Sequence, residues 1–246
     1  WGGELSSHSQ GKTQIYSWRF ASVNIGLILF YLVPLLPFFP TREFTLDTMK
    51  WSGVMACILI LPLLYLCLKT VPNGHRYTEC QHKRDTLSNL FSSIIENKPL
   101  LLFFGSYLLA GAGIGMWLAL AFIFIDAYLG LGEKMPVIYL TGAFVGLVSI
   151  RYWRKLADKW GKKWALGAGI LLNALTILCT ALLEPGASAF IGITVAVSAL
   201  TAGGSALQVI SPSLLSDIVD YGTWKFDRDR AATYFSAYTF ITKANI

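Results

Sequence analysis

Residues 99–125 form a run of 27 without a single Asp, Glu, Lys or Arg. About 20 apolar residues suffice for a helix to cross roughly 30 Å of hydrocarbon. This stretch alone therefore argues against a soluble fold. Similar runs occupy 20–40, 51–68, 136–150, 164–183, 186–216 and 231–246, and only the last contains a charge, Lys243. Across the 246 residues only 14% are charged, against about 25% in a soluble domain. A core of this size cannot hide so much apolar surface, so the solvent around it is lipid. The expected class is an all-α, polytopic membrane helical bundle.

The charges lie between the runs, and their signs are not mixed evenly. Residues 151–164 hold six cations (Arg151, Arg154, Lys155, Lys159, Lys162, Lys163) and one acid, Asp158. Cations beside spans are retained on the cytoplasmic side. With this stretch inside, the segments 1–19, 69–98, 151–163 and 217–230 are all inside and carry 16 of the 20 Lys and Arg. The alternate links 41–50, 126–135 and 184–187 carry 3. The bias predicts one orientation for every span; the expected location is a bacterial inner (plasma) membrane. It also speaks against nucleic acid as a partner, which would need a basic face on a soluble domain.

Local signals refine the spans. Pro34, Pro37 and Pro40 predict a kinked or frayed end to the first. Gly111, Gly113 and Gly115 predict close helix approach in the third. The run 136–150 is short and is expected to use Tyr152 and Trp153 as interface anchors. The run 186–216 is long enough to tilt or break. Between Asp85 and Asn97, the apolar residues Leu87, Leu90, Phe91, Ile94 and Ile95 keep helical spacing. They predict an amphipathic helix along the inner membrane face, with a partner-binding helix as the alternative. Cys57, Cys67 and Cys179 lie in apolar runs, and Cys80 in a link; buried free thiols are expected. His8, His75 and His82 fall in polar segments as solvated residues. No catalytic or metal-binding motif is present, so neither an enzyme nor a metal site is expected.

Two motifs carry a resemblance. Residues 156–163, Leu-Ala-Asp-Lys-Trp-Gly-Lys-Lys, resemble the major facilitator superfamily loop G-x-L-A-D-R-x-G-R-R, with Arg154 at its leading Gly. Residues 216–225, Ser-Asp-Ile-Val-Asp-Tyr-Gly-Thr-Trp-Lys, look like the loop between the tenth and eleventh spans of the glycoside–pentoside–hexuronide:cation symporters. That family is the melibiose-permease-like branch of the superfamily. Thr239-Phe240-Ile241-Thr242-Lys243 matches its eleventh-span T-F-x-x-K, and Gly3-Glu4-Leu5-Ser6 with Lys12 and Arg19 matches its entry to span five.

The resemblance implies a fragment covering about spans 5 to 11 of 12. Residues 1–69 would end the N-terminal bundle with two spans. Residues 70–98 would be the central cytoplasmic linker, and 99–246 a truncated C-terminal bundle. It implies Arg19, Thr239 and Lys243 as substrate-binding residues, and Asp158, Gly161, Lys162, Lys163, Asp217 and Asp220 as the gating and motif-loop set. Asp158 is expected to pair with or cap neighbouring helix ends, and Asp126 to cap or gate the outer end of its span. The function implied is secondary active transport: cation-coupled symport of a sugar or glycoside by alternating access. Sodium or a proton would be the coupling cation, with no other cofactor, and the lipid bilayer the remaining partner. The alternatives are a carrier of lysolipids or other solutes, or a non-transporting membrane sensor or scaffold.

Overall fold

The computed structural model describes residues 9–39, 41–70, 94–226 and 230–245. These contain seven long helices: α1 Ser9–Leu32, α2 Leu46–Thr70, α3 Lys98–Ile123, α4 Met135–Trp160, α5 Lys162–Thr180, α6 Ala189–Phe226 and α7 Ala231–Ala244. Each takes in one apolar run. Among the described residues, six helical segments are long and apolar enough to cross a membrane. The 14 residues of α7 extend only about 21 Å at 1.5 Å per residue. Lipid offers no partner for backbone N–H and C=O groups, so each span must satisfy its own, and helices result. The protein is an integral, multi-pass, all-α membrane bundle.

The helices outrun the apolar runs that announce them. Helix α1 begins at Ser9 rather than near Phe20, so Lys12 and Arg19 are helical. Helix α4 carries the basic residues from Arg151 to Lys159 within its last turns. Helix α6 is unbroken for 38 residues despite Pro212, and it carries Asp217 and Asp220. Hydropathy reports where lipid ends, whereas the hydrogen-bond ladder continues into the interface. The expected loop at 151–163 therefore shrinks to Gly161, where φ is +88°. That conformation favours glycine, and its N–H still reaches the Ala157 carbonyl at 3.0 Å.

Helix α6 is central and touches α1, α3, α4, α5 and α7. Two apolar cores sit along it. One, towards the basic end of the bundle, includes Leu100, Phe103, Leu166, Ile210 and Leu215. The other includes Ile125, Met135, Ile138, Ile193 and Val197. Between them lies a polar seam. Thr201 donates its hydroxyl to the Gly142 carbonyl at 2.7 Å, and Ser149 and Ser205 share a hydrogen bond of 2.6 Å. The Trp153 indole donates to the Ala202 carbonyl at 2.7 Å. Trp153 is thus a packing residue between α4 and α6, not the interface anchor expected, while Tyr152 is exposed.

Helix pairs in lipid gain little from hydrophobic burial, and each inter-helix hydrogen bond contributes only about 0.6 kcal/mol on average. Close packing of small residues must supply much of the rest. The α5–α6 contact shows it: a Cβ on Gly169 would stand 2.5 Å from the Ala206 Cβ and 3.3 Å from the Gly203 carbonyl oxygen. The buried Asn173 side chain fills the adjoining space against Gly203.

Other expectations meet mixed outcomes. Helix α1 does end just before Pro34, in a 3-10 turn at Val33–Leu35. In α3, Gly111 and Gly115 face Asn245, but Gly113 faces open space. Cys57, Cys67 and Cys179 are free but exposed rather than buried, because they lie on helix faces without a neighbour. His8, His75, His82, Cys80 and most of the expected amphipathic helix at 85–97 fall outside the described residues.

Gly169→Ala should overpack the α5–α6 contact and cost about 1–3 kcal/mol. Gly167→Ala, two residues away with nothing within 4 Å of its Cβ position, should change stability by under about 0.5 kcal/mol. Thermal unfolding of both variants in one detergent reads the difference.

Candidate functional site

Charged residues at the basic end are arranged in pairs that tie helix ends together. The Lys162 ammonium, at the start of α5, lies 2.7 Å from Asp217 on α6 and 3.4 Å from the Ser213 carbonyl. The Lys12 ammonium, on α1, lies 2.7 Å from Asp220. About two turns earlier along α6, Ser213 shares a 2.7 Å hydrogen bond with Thr13. Two adjacent α1 residues therefore grip two positions of α6. Lys12 is buried with its side chain 4% exposed, while Asp220 is 63% exposed. An ammonium that buried needs its counter-charge, and the open side of Asp220 lets water screen the pair.

Lys12 was not assigned a role in the sequence, although the signal was there. Lys12, Thr13, Ser17 and Asn24 are all polar, and all are buried on one side of α1. Tyr16 lies among them. A polar stripe at helical spacing inside a membrane protein marks a face turned to protein rather than lipid. Asn24 continues the stripe and comes close to Gly146 on α4.

Gly222 in the Asp-Tyr-Gly-Thr motif is buried, and a Cβ there would meet Asn97 and Tyr234 at 3.2 Å. The motif thus seats the start of α3 and the start of α7 against the end of α6. From there α7 lies along α3, with the Tyr238 hydroxyl donating to Tyr107 at 3.3 Å and the two rings 5.0 Å apart. Thr239 and Lys243 lie beside that contact and are exposed. The Thr239 hydroxyl donates to the Phe235 carbonyl at 2.9 Å, which leaves its oxygen able to accept. Arg19, exposed on α1, is within electrostatic reach of Tyr16 and of Tyr238, the neighbour of Thr239. Tyr107 and Tyr238 were not singled out in the sequence, since an aromatic at helical spacing reads as core.

The remaining candidates are dispersed. Asp158 lies in the last turn of α4, exposed, and no ion pair or cap involves it among the described residues. The acid that holds the motif's Lys162 is Asp217 instead, because α6 extends far enough to reach it. Lys163 stands over the Trp164 ring at 5.8 Å. Asp126 is exposed in a π-helical turn at Phe124–Tyr128, against Gly132, with the Glu43 carboxylate nearby. No group of three or more His, Cys, Asp or Glu side chains that could hold a metal ion occurs among the described residues.

An α-helical membrane bundle with ion-paired helix ends and a basic turn between two spans is of the major facilitator type. The chain matches the family described as "MFS/sugar transport protein" over residues 1–246, and it belongs to that family. It is 25% identical over 247 residues to the uncharacterized symporter YjmB of Bacillus subtilis (strain 168), covering 98% of this chain and 52% of that one. It is 22% identical over 241 residues to a lactose permease of Lactobacillus delbrueckii subsp. bulgaricus, covering 93% and 37%. It is 23% identical over 252 residues to a putative 2,3-dihydroxypropane-1-sulfonate exporter of Escherichia coli (strain K12), covering 98% and 52%. The chain thus spans about half the length of the relatives it matches, or less.

A double-mutant cycle on Lys12→Met and Asp220→Asn should give a coupling of about 1–3 kcal/mol in thermal unfolding, below the 3–5 kcal/mol of breaking a fully buried pair. The same cycle on Lys50 and Asp47, 65% and 76% exposed at 3.3 Å, should give under about 0.5 kcal/mol.

Proposed function

We propose that this chain is part of a secondary active transporter that carries a sugar or glycoside together with a cation, by alternating access. In this reading residues 1–69 close the N-terminal bundle, 70–98 link the bundles and 99–246 belong to the C-terminal bundle. The basic end faces the cytoplasm. The observation that carries the reading is the Lys12–Asp220 pair with its companion Thr13–Ser213. Both join α1, assigned to one bundle, to α6, assigned to the other. Contacts between bundles that are ionic and half-exposed can break and reform, as rocking of one bundle against the other requires. Close small-residue packing of the kind at Gly169 and Ala206 would not serve.

Arg19, Thr239 and Lys243 are the substrate-facing residues of this reading, with Asp217, Asp220, Lys162, Lys163, Gly161 and Asp158 at the gate. A Lys within a span costs about 2.5–3.5 kcal/mol at the helix centre unless it faces a cavity or a counter-charge. Lys243 is exposed on α7, on the same side as Thr239 four residues earlier. Sugar hydroxyls suit the Arg19 guanidinium and the Thr239 oxygen. One relative is named a lactose permease and another a symporter, in keeping with sugar cargo and cation coupling. A third is named an exporter of a sulfonate, and two cations would equally suit an anionic cargo. A neutral galactoside and a hexuronate, offered in competition, separate these readings. Sodium and proton coupling are separated by the driving gradient.

The test is uptake by vesicles containing the full-length protein under a sodium or proton gradient. Lys243→Ala should lower coupled uptake by at least about tenfold at matched expression, with the protein still folded because Ala favours helix. Lys243→Arg should restore it only in part, since a planar fork replaces a point charge. Full coupled uptake by the Ala variant would show that Lys243 merely reaches for an interface. Absence of uptake of any solute by the wild type, with intact folding, would favour a sensor or scaffold.

A further inference from the structure

The turn between α4 and α5 carries cations that the ion pairs at α6 do not use. Lys155, Lys159 and Lys163 are exposed, and no acid pairs with them among the described residues. The one acid of the stretch, Asp158, is exposed beside them and leaves the rim positive. Directly below opens a groove of about 760 Å³ lined by Trp160, Trp164, Gly167, Ala168 and Leu171. Trp164, Gly167, Ala168 and Leu171 share one face of α5, and Trp160 lines the groove from the end of α4. Its walls are apolar, and Trp160, Trp164 and Leu171 are 58%, 69% and 59% exposed. Gly167 leaves the floor open: nothing lies within 4 Å of where its Cβ would be. The Lys163 ammonium stands 5.8 Å from the ring centroid of Trp164, one of the groove's walls.

An open apolar groove on a membrane span faces acyl chains. A neutral lipid would satisfy the groove alone, but not its rim. Lysines beside a span extend their stems towards the headgroup level, and tryptophans settle at that depth. Each Lys near an anionic lipid surface contributes about 1 kcal/mol. We propose that the groove binds one anionic phospholipid from the leaflet adjoining the basic end. An acyl chain lies along Trp160, Trp164, Gly167 and Leu171, and the phosphate of the headgroup meets Lys159 and Lys163. The site is separate from the substrate-facing residues. It bears on the turn that holds Lys162 against Asp217, so an occupied groove steadies the α5 side of that pair.

Native mass spectrometry of the purified protein, titrated with phosphatidylglycerol or phosphatidylcholine, tests this without any assay of transport. The wild type should retain one phosphatidylglycerol at least about fivefold more tightly than phosphatidylcholine, the factor that one lysine's contribution of about 1 kcal/mol gives. Gly167→Leu, which fills the groove, should weaken both lipids. Lys159→Gln with Lys163→Gln should remove the preference for phosphatidylglycerol and leave phosphatidylcholine unchanged. Both lysines are exposed, so this variant decides the question even where Gly167→Leu fails to fold. Equal retention of the two lipids by the wild type would overturn the proposal. So would unchanged adducts in folded Gly167→Leu, a stable dimer that covers the groove, or inorganic phosphate binding as tightly as the lipid.

Discussion

The close seating of α6 against α4 and α5 is the constraint on which the rest of the bundle depends. Lipid supplies no hydrophobic force to press helices together, so they must meet through surfaces that fit. Small residues at Gly142, Gly146, Gly169, Gly203 and Ala206 bring the backbones near. The hydroxyls of Ser149, Thr201 and Ser205 then find partners across the gap or along their own helix. Only because α6 is held there for its full 38 residues does its charged end stand where Lys162 and Lys12 can reach it. The ion pairing at the basic end is a consequence of the packing at mid-span.

Two kinds of contact divide the labour. At mid-span the α4–α5–α6 contacts are close and uncharged, and at the basic end the Lys162–Asp217 pair adds to them. The α1–α6 contacts at the basic end are polar: a buried ammonium against an exposed carboxylate, and a pair of hydroxyls. Such contacts have a definite geometry but can exchange protein partners for water when the helices part. That difference in chemistry is what the proposed alternating access would draw on.

Much of the architecture was legible in the sequence, because lipid imposes a hard rule. Each uncharged run became one helix, and Pro34 ended the first where expected. The helix lengths were not legible. Hydropathy follows the slab of hydrocarbon, so it missed that Lys12, Asp217 and Asp220 sit on helices that project past it. The same error misplaced the motif's work: Asp158 looked like the acid of the turn, but Asp217, brought close by the projecting α6, holds Lys162. Trp153 looked like an interface anchor, although its ring lies against α6. Depth along a helix can be read from hydropathy, but which side faces a neighbour depends on partners far away in sequence. The buried polar stripe on α1 was the one clue to a facing side that periodicity could have supplied.

The central claim is that α1 and α6 touch at the basic end in one state of the protein and separate there in another. Spin labels at positions 14 and 221, both exposed in the structure, report that distance in a cysteine-free form of the full-length protein in lipid nanodiscs. The account predicts a short distance that gains a second, longer population when the solute and its coupling cation are present. Lys12→Met should enlarge the longer population even without them. A single distance that neither ligand nor the Lys12 variant changes would contradict it.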